Sequence, residues 1–326
     1  MTDIMDQHNT KTPGPETPGP KTPGLLQMIR APFLSSIIAP LLAGTLLSVS
    51  INGFFLPLNF LLMLIIGIGL HAAVNVYNDI YDTLQGTDAV NDHRNESSGG
   101  SGILQSNPEL MGRMFFIARS ALVMALIASV LLLFLIEEAL WPHLIILFLL
   151  SAFFSKYYTA PPYKLAYRGL GEVSVWFAFG PMAIMIAAVS QNIGFHPYVI
   201  ALMPATGLST TTIVLAGEMI DLDADRKGGK HGVASRLGSR ATALLYILVH
   251  ALIVINVLFL FAYLDAPAWP VLLAVVPYIF LFPKAAKIIY KHHDQPGELK
   301  KGAKLNVMIH LAFSLLLIAG LAIRLL

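Results

Sequence analysis

Residues 57–82 read PLNFLLMLIIGIGLHAAVNVYNDIYD, and this stretch decides the fold class. It contains no Lys or Arg, and its first acidic residue is Asp79. A helix that crosses a bilayer needs about 20 mostly apolar residues, and this run is long enough. We therefore predict a membrane-spanning helix near residues 54–83 that ends in a polar segment.

Eight further apolar runs of similar length flank this stretch. Together they predict an all-α fold, a polytopic membrane helical bundle of nine transmembrane helices. No soluble domain fits between the runs. The predicted spans lie near residues 31–52, 54–83, 113–136, 139–159, 168–190, 197–222, 239–264, 267–291 and 304–325.

The composition agrees with a membrane protein. Of the 326 residues, 56% are hydrophobic and only 12% are charged, whereas a soluble domain averages roughly 25% charged. The chain has no cysteine, which excludes disulfides, thiolate nucleophiles and cysteine metal sites. We expect membrane lipid around the protein and no nucleic-acid partner.

The N-terminal segment has a different character from the rest of the chain. Residues 1–24 repeat a Thr-Pro-Gly-Pro pattern without an apolar period, which predicts a disordered cytoplasmic Pro/Gly-rich tail. Residues 25–326 then form the nine-helix membrane domain.

The distribution of Lys and Arg predicts the orientation. These residues cluster in the tail and beside the segments near 84–112, 157–168, 223–240 and 284–304. The opposite turns carry Glu137, Glu138 and Asp265 instead. By the positive-inside rule, the N-terminus and the polar loops face the cytoplasm of an inner or plasma membrane.

The first candidate site is the end of the second predicted span. Asn75, Asn78, Asp79 and Asp82 have i, i+3, i+4, i+7 spacing, which predicts one polar face, with His71 one turn deeper. Acidic residues at a membrane helix end are usually functional. Carboxylate and amide oxygens suit Mg²⁺. The alternative is a hydrated, inert helix terminus.

The second candidate site is the end of the sixth predicted span. Glu218, Asp221 and Asp225 share a predicted face, while Asp223 points away. Arg226 and Lys230 follow directly and could neutralise phosphate charge. Two acidic stripes at the same depth predict a site where Mg²⁺ joins carboxylates to a diphosphate.

A third element joins the fourth and fifth spans and contains Pro161 and Pro162, which stop the helix. Lys164 and Arg168 follow the prolines and are further candidates for binding the diphosphate. The alternative role of these two residues, and of Arg226 and Lys230, is to set the orientation of the protein as positive charge on the cytoplasmic side.

These segments resemble the UbiA superfamily of intramembrane prenyltransferases. The N-D-x-x-D motif of that family is similar to residues 78–82, and its D-x-x-x-D motif to residues 221–225. Gly86-Thr-Asp88 and the D-R-x-x-G-K run of residues 225–230 resemble the quinone-forming branch, which includes the 1,4-dihydroxy-2-naphthoate polyprenyltransferases.

The resemblance implies a role for each matching position. The implied ligands of Mg²⁺ and the prenyl diphosphate are Asn78, Asp82, Asp88, Asp221 and Asp225, with Asp79 in the same motif. Lys164 and Lys230 are implied to bind the phosphates. On the acceptor side we expect Asn75, His71 and Tyr158, and we expect Tyr77, Tyr158 and Tyr163 to be able to stabilise an allylic cation.

The function implied is Mg²⁺-dependent transfer of a polyprenyl group from a polyprenyl diphosphate to a small aromatic acceptor, 1,4-dihydroxy-2-naphthoate in the closest branch. A terpene cyclase or a glycerol-ether prenyltransferase of the same superfamily would share the diphosphate site. A cation transporter is the rival from another class, because intramembrane carboxylates also mark ion paths.

His250, Asn256 and His310 are predicted to form hydrogen bonds between helices.

Overall fold

The structure is a computed structural model that describes residues 23–90 and 100–326. The predicted tail, apart from its last two residues, lies outside the described residues, as does the first half of the Gly-rich stretch 97–102. Across the described ranges the chain is helical, and no strand is present. The all-α prediction is confirmed.

Among the described residues, nine long helical segments form the bundle, and we number them α1 to α9. They are α1 (Ser35–Asn52), α2 (Pro57–Leu84), α3 (Met111–Leu133), α4 (Trp141–Tyr157), α5 (Gly171–Ser190), α6 (Pro197–Ile220), α7 (Ser239–Tyr263), α8 (Trp269–Phe280 with Phe282–Lys291) and α9 (Pro296–Ile323).

Within the described residues, eight of these segments are single helices long and apolar enough to cross a membrane. The remaining segment, α8, bends by 40° at Leu281, and counting it as one span gives the nine predicted spans. Its first half begins as a 3-10 turn, Trp269–Val275. Pro283 lies in the first turn after the bend. Because a proline has no backbone N–H and its ring clashes with the preceding turn, it favours a break there.

Prolines also account for several helix boundaries. Pro57, Pro197 and Pro296 each occupy the first turn of a helix, where their missing N–H would have no partner. The largest difference from prediction is at α9, which begins at Pro296 rather than near residue 304. Its first two turns are polar and do not add to an apolar run, although their backbone is helical.

Close contact between α5 and α6 depends on two glycines. A Cβ added at Gly180 would lie 2.5 Å from the Met203 carbonyl oxygen, and one at Gly207 would lie 2.2 Å from the Trp176 carbonyl oxygen. Small residues allow membrane helices to approach backbone to backbone. Pro181 lies in a π-helical turn, Ala178–Met182, at this contact, and such turns are frequent at functional sites.

The main hydrophobic core receives buried side chains from all nine segments, and Leu41, Ile66, Ile184 and Leu202 are those of α1, α2, α5 and α6 at its centre. The ends of α2 and α6 lie on the same side of this core, and we call that side the motif end of the bundle. The short helices Leu222–Lys227 and Val233–Leu237 follow α6 there. This arrangement brings the two predicted acidic segments to one end of the molecule.

Candidate active site

A cavity of about 270 Å³ opens at the motif end. Its inner walls are mostly apolar and come from α1, α2, α4, α5 and α6, with Leu41, Leu70 and Ile186 among the lining residues. Carboxylates from both predicted stripes line its mouth. The cavity therefore combines an apolar interior with a charged entrance.

The α2 stripe lines one wall of the cavity. His71, Asn75, Asn78 and Asp82 all contribute to this wall, as the spacing predicted. Asp79 is not among the residues that line this wall, although it lies only about 40° around the helix from Asn75. Its Oδ1 instead accepts a hydrogen bond of 3.1 Å from the Ser101 N–H. Asp79 thus holds the segment after residue 100 against α2, and its catalytic role stays a prediction.

Asp82 joins the two motifs directly. Its Oδ2 accepts a hydrogen bond of 3.2 Å from Lys230 Nζ, and its Oδ1 accepts one of 2.7 Å from the Tyr167 hydroxyl. Tyr167 also lies 2.7 Å from Thr87 Oγ1. Burial and then the Asp82 carboxylate raise the pKa of Tyr167, which keeps the phenol protonated as a donor. Residues 148 positions apart in sequence therefore meet at one carboxylate.

The second stripe lines the facing wall with Glu218, Asp221 and Asp225, whereas Asp223 is exposed, as expected. Burial raises the pKa of Asp225 to about 7; Lys230 opposes the shift, and Asp221, Asp82 and Asp88 add to it. Burial alone would lower the pKa of Lys230, but Asp82 and Asp225 outweigh it and raise that pKa well above its usual value. The half-buried Lys230 ammonium group thus lies between carboxylates of both stripes, Asp82 and Asp225.

Asp88 is buried beside the Gly-rich segment and lines the same cavity. Gln105 Nε2 donates to its Oδ2 at 3.2 Å. Gly100 has φ +72°, and a Cβ there would lie 2.8 Å from Asp88 Oδ2, so only glycine fits without displacing the carboxylate. The segment after residue 100 therefore packs closely over the acidic mouth.

Comparison with known proteins identifies this arrangement. Residues 37–308 match the UbiA prenyltransferase family, which is most of the chain. The chain belongs to the UbiA prenyltransferase family. It is therefore an integral membrane prenyltransferase, and the resemblance seen in the motifs is confirmed.

Individual relatives agree with this assignment. The 2-carboxy-1,4-naphthoquinone phytyltransferase of Synechocystis is 25% identical over 90% of this chain and 92% of that protein. The 1,4-dihydroxy-2-naphthoate octaprenyltransferase of Bacillus subtilis is 24% identical over 92% of both. The solved UbiA homolog of Archaeoglobus fulgidus bound to DMAPP and Mg²⁺ has a TM-score of 0.55 at 14% identity, covering 90% of this chain and 98% of that one. That likeness supports the fold alone.

The predicted basic residues of this UbiA prenyltransferase are distributed unevenly. Of the four, all of which the structure describes, Lys230 alone lines the cavity. Arg168 is exposed and donates to the Pro162 carbonyl at 3.0 Å. Arg226 is exposed and lies 3.5 Å from the Ser235 carbonyl. Lys164 is half-buried, with Nζ 5.7 Å from the centre of the Tyr167 ring.

The predicted acceptor residues His71, Asn75 and Tyr158 line the cavity. The His71 ring meets the Phe179 ring edge to face, with ring centres 5.1 Å apart, and its Nδ1 is buried without a hydrogen-bond partner among the described residues. Tyr77 packs on Tyr81 in a separate cluster on the α3 side, and Tyr163 is exposed. Of the three tyrosines proposed for cation stabilisation, Tyr158 is the one on the cavity wall.

Two further features were not predicted. Arg30, just before α1, lines the cavity, although in the sequence it looks like one more cytoplasmic positive charge. Glu172 and Glu218 form the second feature: they accept the N–H groups of Val233 and Ala234 at 2.5 and 3.1 Å. Because this turn follows Lys230, the two carboxylates anchor the loop that carries it. No spacing rule links Glu172 to Glu218, since they meet only through tertiary packing.

Mg²⁺ fits the donor chemistry of the mouth. In the described part of the chain, no three acidic or histidine groups are close enough to enclose a metal ion by themselves. Mg²⁺ does not require such a cage, since it usually takes one or two carboxylates and completes its shell with water and substrate phosphate oxygens. Carboxylates on two facing walls suit a metal that arrives with a diphosphate.

Proposed function

We propose that this prenyltransferase uses Mg²⁺ to transfer a polyprenyl group from an allylic prenyl diphosphate to a small aromatic acceptor, with 1,4-dihydroxy-2-naphthoate as the best supported acceptor. In this proposal Asn78, Asp82, Asp88, Asp221 and Asp225 hold Mg²⁺ and the diphosphate.

The observation that carries the proposal is the contact between Lys230 and Asp82. Lys230 Nζ lies 3.2 Å from Asp82 Oδ2 at the mouth of an apolar cavity. A carboxylate and an ammonium group side by side suit a ligand that combines a divalent cation with a phosphate anion. An ion path would not need the large apolar chamber behind this pair, so the transporter alternative has less support.

Charge at the mouth accounts for the first chemical step. When bound, Mg²⁺ supplies positive charge against the diphosphate oxygens. The bond between the prenyl C1 and the diphosphate oxygen breaks, and Lys230 neutralises charge on the departing oxygen. Tyr167 and Thr87 hold Asp82 in position throughout. The phosphate-binding roles of Lys164, Arg168 and Arg226 stay predictions, because their side chains do not line the cavity.

The apolar interior accounts for the fate of the carbocation. Leu41, Leu70 and Ile186 exclude water from the space next to the mouth, which suppresses hydrolysis. A carbon of the electron-rich acceptor ring then bonds to the prenyl C1. The ring afterwards loses a proton, or carbon dioxide if the attacked carbon carries the carboxylate. His71, Asn75 and Tyr158 line the wall where the acceptor would lie.

The choice of acceptor rests on the relatives. Two that match about nine-tenths of this chain are named for a carboxylated naphthoquinone and a dihydroxynaphthoate. A solved neighbour titled as digeranylgeranylglyceryl phosphate synthase has a TM-score of 0.53 at 17% identity, which supports the shared fold and not the acceptor. The glycerol-ether and cyclase alternatives therefore have weaker support.

The proposal includes an orientation. The loops at the motif end carry Lys and Arg, so the active site and the N-terminus would face the cytoplasm of an inner or plasma membrane. Labelling of single cysteines placed in the cysteine-free chain, at Gln85 and at Glu138, tests this with a membrane-impermeant reagent on intact cells. We expect protection at the first position and labelling at the second.

The decisive experiment uses the purified full chain in detergent. It is incubated with Mg²⁺, a set of prenyl diphosphates, and 1,4-dihydroxy-2-naphthoate, 4-hydroxybenzoate or a glycerol-ether acceptor, and the lipid extract is analysed by mass spectrometry. We expect a prenylated naphthalene product that disappears when the metal is chelated. A cyclised hydrocarbon formed without an acceptor, or a product with the glycerol ether alone, would contradict the proposal.

A further inference from the structure

A groove of about 480 Å³ lies between α2 and α3, on the outer surface of the bundle and away from the active-site cavity. Apolar side chains form most of its walls, among them Leu62 and Ile65 of α2 and Val123 and Leu131 of α3. Of the described residues that line it, Arg119 is the one with a charge. The groove therefore combines a long apolar surface with a single cation, and the active site uses neither.

The sequence around Arg119 shows how deep it lies in the membrane. Residues 120–136, which separate it from Glu137 beyond the far end of α3, carry no charge. Even as one continuous helix this run would span about 25 Å. That length is less than the hydrocarbon core of a bilayer, which is roughly 30 Å thick. With Glu137 at the opposite surface, Arg119 lies at the motif-end edge of the hydrocarbon core or inside it.

The Arg119 side chain is exposed on this surface, and its partners are uncharged. Its Cζ lies 5.5 Å from the centre of the Phe115 ring, and the guanidinium also interacts with the Tyr77 hydroxyl of α2. Within the described ranges it forms no ion pair. Charged side chains in membrane spans usually face the bundle interior or pair with an opposite charge. Arg119 does neither, so an anion supplied by the surrounding lipid would balance its charge.

The groove has the length of one leaflet. Arg119 and Leu131, both on its wall, are about 18 Å apart along α3, and half of the hydrocarbon core is roughly 15 Å. Helical side chains point back toward the helix N-terminus, so Arg119 extends toward the headgroups at the motif end. Basic groups between membrane helices bind anionic headgroups. We propose that this groove binds one anionic glycerophospholipid, with its phosphate on Arg119 and an acyl chain along Val123 and Leu131.

A second copy of the chain is the other occupant that such a groove could take. In a two-fold symmetric dimer the same surface of both copies meets at the axis. The two Arg119 side chains would then approach each other at a surface whose described lining residues include no carboxylate. Like charges repel strongly where the dielectric constant is low. Charge therefore favours a lipid phosphate over a second copy.

The test measures lipid binding and is independent of prenyl transfer. The purified full chain in detergent is titrated with phosphatidylglycerol or phosphatidylcholine, and native mass spectrometry counts bound lipids and copies of the chain. We expect the wild type to prefer phosphatidylglycerol by about five- to tenfold, the effect of one cation near an anionic headgroup. Arg119→Gln should reduce this preference to within about twofold. Arg240→Gln, at an exposed position in the first turn of α7, is the matched control and should keep it.

A second variant locates the lipid without changing Arg119. Phosphatidylglycerol with a photoreactive acyl chain should label residues 116–131 of the wild type. Val123→Trp places a large ring in the groove and should lower that labelling at least fivefold, whereas Ile255→Trp, at an exposed position on α7, should leave it unchanged. Unchanged preference in Arg119→Gln together with unchanged labelling in Val123→Trp would overturn the proposal. A dimer that both variants dissociate, with lipid binding unaltered, would assign the groove to a second copy and overturn it as well.

Discussion

Two polar clusters lie within this helical bundle, and they differ in charge and in what they contact. The mouth cluster consists of Asp82, Asp88, Asp221, Asp225 and Lys230, and all five line the cavity. The inner cluster consists of Ser209, Tyr246, His250, Asn306 and His310, and none of these described residues lines the cavity.

The inner cluster links helices. The Asn306 amide on α9 is hydrogen-bonded to the Tyr246 hydroxyl at 2.9 Å and to His250 Nε2 at 3.1 Å, both on α7. His310 Nδ1 lies 2.9 Å from Ser209 Oγ on α6. These contacts, with those of Asn256 to the α6 backbone at 3.0 and 3.2 Å, confirm the predicted helix–helix hydrogen bonds. The cluster is neutral in its formal groups and links helices through these bonds, while Asn306 Nδ2 and His310 Nε2 are buried without a hydrogen-bond partner among the described residues.

The mouth cluster has a different character. Its residues are ionisable, four carboxylates and one ammonium group, and burial is the main reason for the raised pKa of Asp225. All five side chains line the cavity, where a bound ligand can contact them. A polar group inside this membrane bundle therefore indicates function when it is ionisable and lines a cavity, and indicates packing when it is neutral and bonded between helices.

The largest expected effect comes from removing a carboxylate of the mouth cluster. Asp82→Asn and Asp225→Asn should each lower kcat/KM by about 1,000-fold or more, because electrostatic stabilisation of the leaving group is the main proposed catalytic contribution. The measurement is transfer of a radiolabelled prenyl group by purified protein. Asp223→Asn, which changes an exposed neighbour, is the control and should remain active. Retained turnover in both cavity variants would contradict the Mg²⁺ site.

The next largest effect is expected from protons that compete with Mg²⁺ for the Asp225 carboxylate. Burial is the main reason why the pKa of Asp225 rises from its ordinary value of 3.8 to about 7. Lys230 opposes this rise, whereas Asp221, Asp82 and Asp88 add to it. The protonated form is favoured below pH 7, whereas Mg²⁺ binds the carboxylate. The apparent affinity for Mg²⁺ should therefore fall by up to about tenfold per pH unit below about pH 7. The measurement is the thermal stabilisation of the protein by Mg²⁺ alone, which should weaken over the same pH range. Asp225→Asn should remove that pH dependence; the same slope in the variant would show that another group titrates.

A smaller effect is expected at the anchor of the Lys230 loop. Glu172→Ala removes the acceptor of the Val233 N–H, so Lys230 should be less well positioned and KM for the prenyl diphosphate should rise roughly 10-fold. Glu172→Gln keeps an acceptor oxygen and should recover most of the affinity. An increase in acceptor KM, with diphosphate KM unchanged, would argue against this positioning role.

The sequence predicted the bundle and the mouth cluster for the same physical reason. Apolar runs and residues three or four apart are local patterns, so the nine spans and the pairs Asn78 with Asp82 and Asp221 with Asp225 follow from helix geometry. Contacts between distant segments do not follow from it. How the helices pack decides three placements: the contact of Tyr167 with Asp82, the position of Arg30 in the cavity, and the proximity of Glu172 to Glu218. Basic residues were the least predictable, because topogenic and ligand-binding cations look alike in a sequence.

The smallest effect on activity is expected in the inner cluster. Asn306→Leu should leave the Tyr246 hydroxyl and His250 Nε2 buried without their partner, which costs about 1–3 kcal/mol. Thermal unfolding in detergent should therefore begin at a lower temperature, while KM for both substrates stays within about twofold at a temperature where the protein is folded. Met308→Leu, a lipid-facing change on the same helix, controls for altered side-chain volume. If Asn306→Leu selectively raised a KM without lowering thermal stability, the inner cluster would belong to the active site and the distinction between the two clusters would fail.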